Sequence, residues 1–129
     1  MSRFSEVTYD ARSQTAVIGA GLIWDDVYAA LAPHGVNVVG GRVSGVGVAG
    51  FTLGGGTTTA RSLVLCANIH RYLGYSWLTN QHGLTLDTVM AFELVKPDGQ
   101  SVNVTQASDP KLFFGLKVSQ LTLFFRLIV

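Results

Sequence analysis

The residues best placed to do chemistry are the glycines of the stretch GGRVSGVGVAGFTLGGG, from Gly40 to Gly56. Glycine adds backbone freedom that folding must remove and gives a core nothing to pack, so a run this dense calls for a close approach to the main chain. Successive N–H groups without a Cβ in the way form a concave nest for phosphate or another anion. Arg42, inside the run, either assists such an anion or stands solvated. Gly45-Val46-Gly47-Val48-Ala49-Gly50 spells GxGxxG. Two features separate it from the dinucleotide fingerprint of that spelling. Gly54, Gly55 and Gly56 break the helix that should follow, and no Asp or Glu lies between Asp26 and Asp87 to hold a ribose. The nest is of another design.

Other candidates are weaker. Cys66 and His70 stand four apart, a spacing that aligns two metal ligands on a helix, but two ligands without a third make a poor site, and no metal is expected. Asp25 and Asp26 are adjacent, so on a helix they diverge and read as a solvated first turn suited to the dipole rather than an acid/base pair. His82 reads as a turn residue. Upstream, VIGAG between a strand and a helix imitates the opening of a Rossmann unit, yet Trp24 stands where close helix-to-strand packing requires the third glycine.

The elements that must position the loop follow from periodicity. Residues 6–9 and 15–18 read as two strands of a hairpin around residues 10–13. Trp24, Val27, Tyr28 and Leu31 recur at spacings of three and four, one face of a helix that ends near Pro33. Residues 37–39 read as a short strand leading into the loop, and residues 75–82 as a short helix closed by Gly83. Residues 89–95 and 101–105 form the clearest hairpin, joined by the turn chemistry of Pro97-Asp98-Gly99. Asp109-Pro110 supplies an N-cap and a first-turn proline for a helix over residues 111–116.

With 129 residues the chain has one domain's worth of length. It is 48% apolar and only 13% charged, greasy for a free-standing small domain and in keeping with part of a larger body. A formal net charge of +1 without a basic run argues against a nucleic-acid or electrostatic membrane surface. The single cysteine excludes an internal disulfide. The first ten residues lack an apolar signal-peptide core, and the apolar tail is broken by Gln120 and Arg126 and far shorter than the about 20 residues a bilayer needs.

The succession GGRVSGVGVAGFTLGGG, YSWLTNQHGLTLDTV, AFELVKPDG and DPKLFFGLK resembles the second half of the FAD-binding domain of the vanillyl-alcohol oxidase and p-cresol methylhydroxylase (PCMH) family, above all its berberine-bridge-like oxidoreductases. The resemblance implies an α+β fold, an incomplete FAD-binding subdomain with a small mixed sheet and flanking helices, over residues 1–117. It implies that FAD is lined by the backbone of Val46, Gly47, Gly50, Gly54, Gly55 and Gly56, with Asp87 and Val89 near it. It also implies a small-molecule substrate, an alcohol, sugar or amine carbon giving hydride to FAD, with oxygen reoxidising it. Some relatives tether flavin through a cysteine in the loop; Val43 takes that position, so no such bond forms here. The family's flavin histidine, substrate domain and catalytic base fall outside the matched stretch, so no catalytic residue is named and the segment is expected to be inactive alone. The alternative function is a non-catalytic binding module that retains the glycine loop.

Two patches depart from the family pattern. Residues 57–73, TTTARSLVLCANIHRYL, interrupt GGG and YSW, and removing them with one flanking glycine restores the pattern in frame, as a retained intron would. An ordinary surface insertion is the competing reading. From Val118 to Val129 the chain diverges again, and Lys117-Val118-Ser119 is what a splice donor encodes when read through. A truncated gene model is the preferred reading, and an authentic amphipathic or strand-forming tail the competing one.

Overall fold

A computed structural model describes residues 4–53, 78–118 and 124–129. Strands β1 (Val7–Asp10) and β2 (Thr15–Gly19) form the expected hairpin, with Tyr9 opposite Ala16. Asp10 closes it, its Oδ1 accepting the Arg12 N–H at 2.9 Å and its Oδ2 the Ser13 hydroxyl at 2.8 Å. Helix α1 (Trp24–Leu31) follows and passes into a 3-10 turn over Ala32–His34, where Pro33 and the left-handed Gly35 end it. Its apolar stripe is the predicted one: Trp24, Val27 and Leu31 are buried.

Helices α2 (Val48–Leu53), α3 (Thr79–His82) and α4 (Thr85–Thr88) are single turns or little more. Gly83, at φ +80°, closes α3 as its sequence position suggested. Strands β3 (Ala91–Val95) and β4 (Ser101–Thr105) make the second hairpin, its turn set by Gly99 at φ +83° donating to the Lys96 carbonyl. Helix α5 (Pro110–Val118) starts where Asp109 caps it, the Asp109 Oδ1 accepting the Leu112 N–H at 3.0 Å.

Strand β5 (Phe124–Ile128) lies between the two hairpins and gives the sheet order β1-β2-β5-β3-β4. Ile18 and Phe92 both pair in register with Leu127. The tail that departs from the family pattern therefore furnishes the middle strand of the sheet. The fold is α+β as expected, but among the described residues every strand pairing is antiparallel rather than mixed. That arrangement also disposes of the Rossmann alternative, which needs parallel strands joined by crossover helices. The insertion reading of residues 57–73, with Cys66 and His70, lies outside the described residues.

One face of the sheet carries Ala16, Ile18, Phe92, Leu94 and Val104 into a core completed by Trp24, Val27 and Leu31 of α1, Val48 and Phe51 of α2, Val89, and Phe113 and Leu116 of α5. Phe51 meets the Trp24 ring edge-on at 5.6 Å and Phe113 packs on Phe92 at the same separation. Residues 37–39 do not form the expected strand: no strand pairs with them among the described residues, and Asn37 Oδ1 accepts the Val38 N–H at 2.9 Å, a local bond that competes with a ladder. No helix among the described residues is long and apolar enough to cross a membrane.

Candidate functional site

The glycine-rich loop is built against the first turn of α1. Gly40 and Gly41 lie directly on the buried Trp24 indole: a Cβ on Gly40 would overlap the ring, and one on Gly41 would stand 2.7 Å from Cδ1. These two glycines are bare because tryptophan occupies their space. Gly45, Gly47 and Gly50 are bare for a different reason, since a Cβ at any of them would meet nothing within 4 Å among the described residues. Gly45 also needs its φ of +81°, a conformation that costs a side-chain-bearing residue strain. The run that looks uniform in sequence thus divides into a packed half and an open half.

Main-chain bonds fix the open half to the strand-to-helix connection. The Trp24 N–H donates to the Val46 carbonyl at 3.0 Å and the Val48 N–H to the Leu22 carbonyl at 2.9 Å, with Ile23 and Gly47 in a bridge between them. The Phe51 N–H then donates to the Gly47 carbonyl at 3.1 Å, the bond that opens α2. Ala49 and Gly50 come before Phe51 in that first turn, so their N–H groups have no acceptor within the helix. The run is not loop throughout, as its glycine content suggested, because the apolar residues Val48 and Phe51 reach the core and set a helical turn between the glycines.

Two side chains of α1 hold the turn from outside. Asp25 Oδ2 accepts the Gly45 N–H at 2.8 Å, and the Tyr28 hydroxyl donates to the Gly41 carbonyl at 2.8 Å. The bonds from the Gly45 amide and the Ser44 hydroxyl hold the Asp25 carboxyl below its ordinary pKa of 3.8. Burial, with the Asp25 charge second, pushes the Tyr28 phenol up to about 12. Sequence reasoning had Asp25 as a solvated helix start and Tyr28 as part of a core stripe; the signal that could have found them is a hydrogen-bonding side chain on the helix that a glycine loop must pack against.

The remaining predicted residues are brought near the same region. Val89 is buried in one core cluster with Val48 and Phe51, and α2 packs on α4. Asp87 turns back on its own helix start, where its Oδ2 accepts the Leu84 N–H at 2.8 Å. Gly54, Gly55 and Gly56 lie outside the described residues. Among the described residues the buried hydroxyls of Thr52 on α2 and Thr85 on α4 have no hydrogen-bond partner, nor does the Trp24 indole N–H. A cavity of about 290 Å³ opens between residues 36–39, α3 and the sheet, walled in part by Tyr9, Val38, Leu78, His82 and Thr88. Its described lining includes none of Val46, Gly47, Gly50, Asp87 and Val89, so the cavity and the open glycines are separate features. Among the described residues no group of three or more His, Cys, Asp or Glu could hold a metal.

Known proteins share this sequence and fold. The chain is 36% identical over 112 residues, 87% of its length, to an uncharacterized FAD-linked oxidoreductase of Arthroderma benhamiae. The chain is homologous to FAD-linked oxidoreductases. It is likewise 34% identical over 117 residues, 91% of its length, to the FAD-dependent monooxygenase drtC of Aspergillus calidoustus. It spans about a fifth of the length of these curated relatives, 19% of each. No family model matches the chain. Its fold matches solved structures: BBE-like 1 of Physcomitrella patens, at a TM-score of 0.76 and 23% identity, covers 99% of this chain with 25% of its own. For 6-hydroxy-D-nicotine oxidase of Arthrobacter nicotinovorans the TM-score is 0.76 and the identity 21%, over all of this chain and 25% of that one. A chitooligosaccharide oxidase matches at 0.75 and 23%, over 99% of this chain and 24% of its own.

Proposed function

We propose that the chain is the glycine-loop segment of the FAD-binding domain of a flavin-dependent oxidoreductase. The observation that carries this reading is the 36% identity, over 87% of the chain, to an FAD-linked oxidoreductase. The open half of the loop fits the group: among the described residues nothing stands where a Cβ on Gly45, Gly47 or Gly50 would lie, which suits close approach by a dinucleotide. Val46, Gly47 and Gly50 would border FAD through their main chain, with Gly54, Gly55 and Gly56 continuing the border. The N–H groups of Ala49 and Gly50, unused by the helix, are donors for the diphosphate. Val89 supports the site from the core, and Asp87, whose carboxylate is engaged with Leu84, acts on the loop before α4 rather than through a free charge.

Bound FAD supplies the hydride acceptor; this chain's residues bind and orient it. The substrate of the whole enzyme is a small molecule with an oxidisable alcohol, sugar or amine carbon, and oxygen regenerates the flavin. A segment spanning a fifth of its relatives holds no substrate in line with the flavin, so alone it turns nothing over. Two experiments test the reading. Sequencing the genomic DNA on either side is expected to reveal an upstream RSGGH-like flavin-attachment segment and a downstream substrate domain in one gene; their absence would overturn it. Titrating FAD with the chain and following flavin fluorescence is expected to give weak binding that Gly47→Ala and Gly50→Ala weaken further.

We also read residues 57–73 as a retained intron. Amplifying and sequencing the transcript decides this, and a dominant mature message that keeps the segment would refute it.

A further inference from the structure

We propose that the first turn of α1 is a clamp on the glycine-rich loop, with Asp25 and Tyr28 as its positioning residues. The consequence for FAD rests on the function proposed above; the clamp itself rests on geometry alone. Between Gly41 and Gly47 the loop belongs to no strand or helix, so few bonds decide how far its tip stands from the helix. Asp25 and Tyr28 supply two of them at opposite ends of the turn: one carboxylate oxygen takes the Gly45 N–H, and the phenol donates to the Gly41 carbonyl, each at 2.8 Å. Between those ties the Trp24 ring forms a floor that leaves no room for a Cβ on Gly40 or Gly41. The tip is thus held from both sides and from beneath, and the open faces of Gly45 and Gly47 keep a fixed spacing from the start of α2.

The Gly45 tie is the informative one. It is charge-assisted, and it anchors the residue whose positive φ makes the turn. It is also exposed, so losing it loosens the tip without opening the core. A merely structural carboxylate on the helix would behave like its neighbour Asp26, which is exposed on the same first turn.

The test uses the 129-residue chain with Asp25→Ala, Asp25→Asn, Tyr28→Phe and, as control for charge and helix propensity, Asp26→Ala. Amide hydrogen exchange is read at the Gly45 N–H and across the β1–β2 hairpin, and FAD affinity is read by fluorescence titration. Asp25→Ala is expected to speed Gly45 exchange roughly fivefold or more, the order expected for one hydrogen bond to a charged group at the surface. Asp25→Asn, which keeps an acceptor oxygen, recovers part of the protection. Tyr28→Phe loosens the same tip, Asp26→Ala does not, and hairpin exchange stays put in all four. FAD affinity falls in step with lost protection. The proposal is overturned if Asp25→Ala and Asp26→Ala exchange alike at Gly45, if the hairpin loosens equally, or if a loosened tip leaves FAD affinity unchanged. Should the unaltered chain take up no FAD, the flavin reading of this segment fails while the exchange comparison still decides the clamp.

Discussion

Gly40→Ala is the sharpest test of the packing that seats the loop. The added Cβ would overlap Trp24 Cε3 and come within 2.6 Å of Cδ2, where ordinary contact begins near 3.4 Å. The ring cannot yield, because Trp24 is 1% exposed and is wedged between Tyr28, at 6.0 Å between ring centroids, and Phe51 at 5.6 Å. Relief therefore requires the backbone at residues 40 and 41 to lift off the indole, carrying the loop with it. Overpacking of a rigid core site costs about 1–3 kcal/mol, and this overlap belongs at the upper end. With a urea m-value of about 1–3 kcal/mol/M for a small protein, the midpoint should drop by roughly 1 M. Urea unfolding followed by circular dichroism measures the loss, and tryptophan fluorescence should shift as the indole gains solvent. A midpoint within about 0.2 M of the unaltered chain, a cost below about 0.5 kcal/mol on the same scale, would refute the claim that Trp24 dictates glycine at this position.

Gly50→Ala has the opposite sign: it fills open space within α2, so it should stabilise the unliganded chain by about 0.5–1 kcal/mol in the same urea assay while weakening FAD binding. Because the Asp25 carboxyl is held below 3.8 in the folded chain, its support of Gly45 is present above the unfolded value and disappears as pH falls through the lowered one. Gly45 amide protection, corrected for intrinsic exchange, should therefore hold from pH 7 to about 4 and decay only in stronger acid. Tyr28 runs the other way: its neutral hydroxyl holds Gly41, the support is complete below pH 10, and it is lost as pH rises through about 12. Ultraviolet titration should show a phenolate component near pH 12 that Tyr28→Phe abolishes.

Much of the fold was legible because its signals are local. The alternating β1–β2 segments, the three- and four-residue spacing of Trp24, Val27 and Leu31, the Pro97-Asp98-Gly99 turn and the Asp109 cap all specify their elements through neighbours a few residues away. The site was legible only as a region. Nothing in the glycine run distinguishes Gly40, which yields to an indole from another element, from Gly50, which faces open space; that distinction is tertiary. Residues 37–39 carry strand-like valines but find no edge to join, since propensity proposes a strand and only a partner makes one. Antiparallel pairing throughout was likewise hidden, because β5 sits in the middle of the sheet while its sequence lies at the far end of the chain.

That placement has a consequence during synthesis. Ile18 cannot meet its partner Leu127 until all the residues between them have been translated, which at typical rates leaves the first hairpin waiting on the order of 5–20 s. Until β5 emerges, β2 and β3 each expose one unsatisfied ladder to whatever else in the cell can add a strand. The nascent polypeptide is thus most vulnerable to misassociation just before β5 emerges, and its yield should depend on how quickly that strand leaves the ribosome.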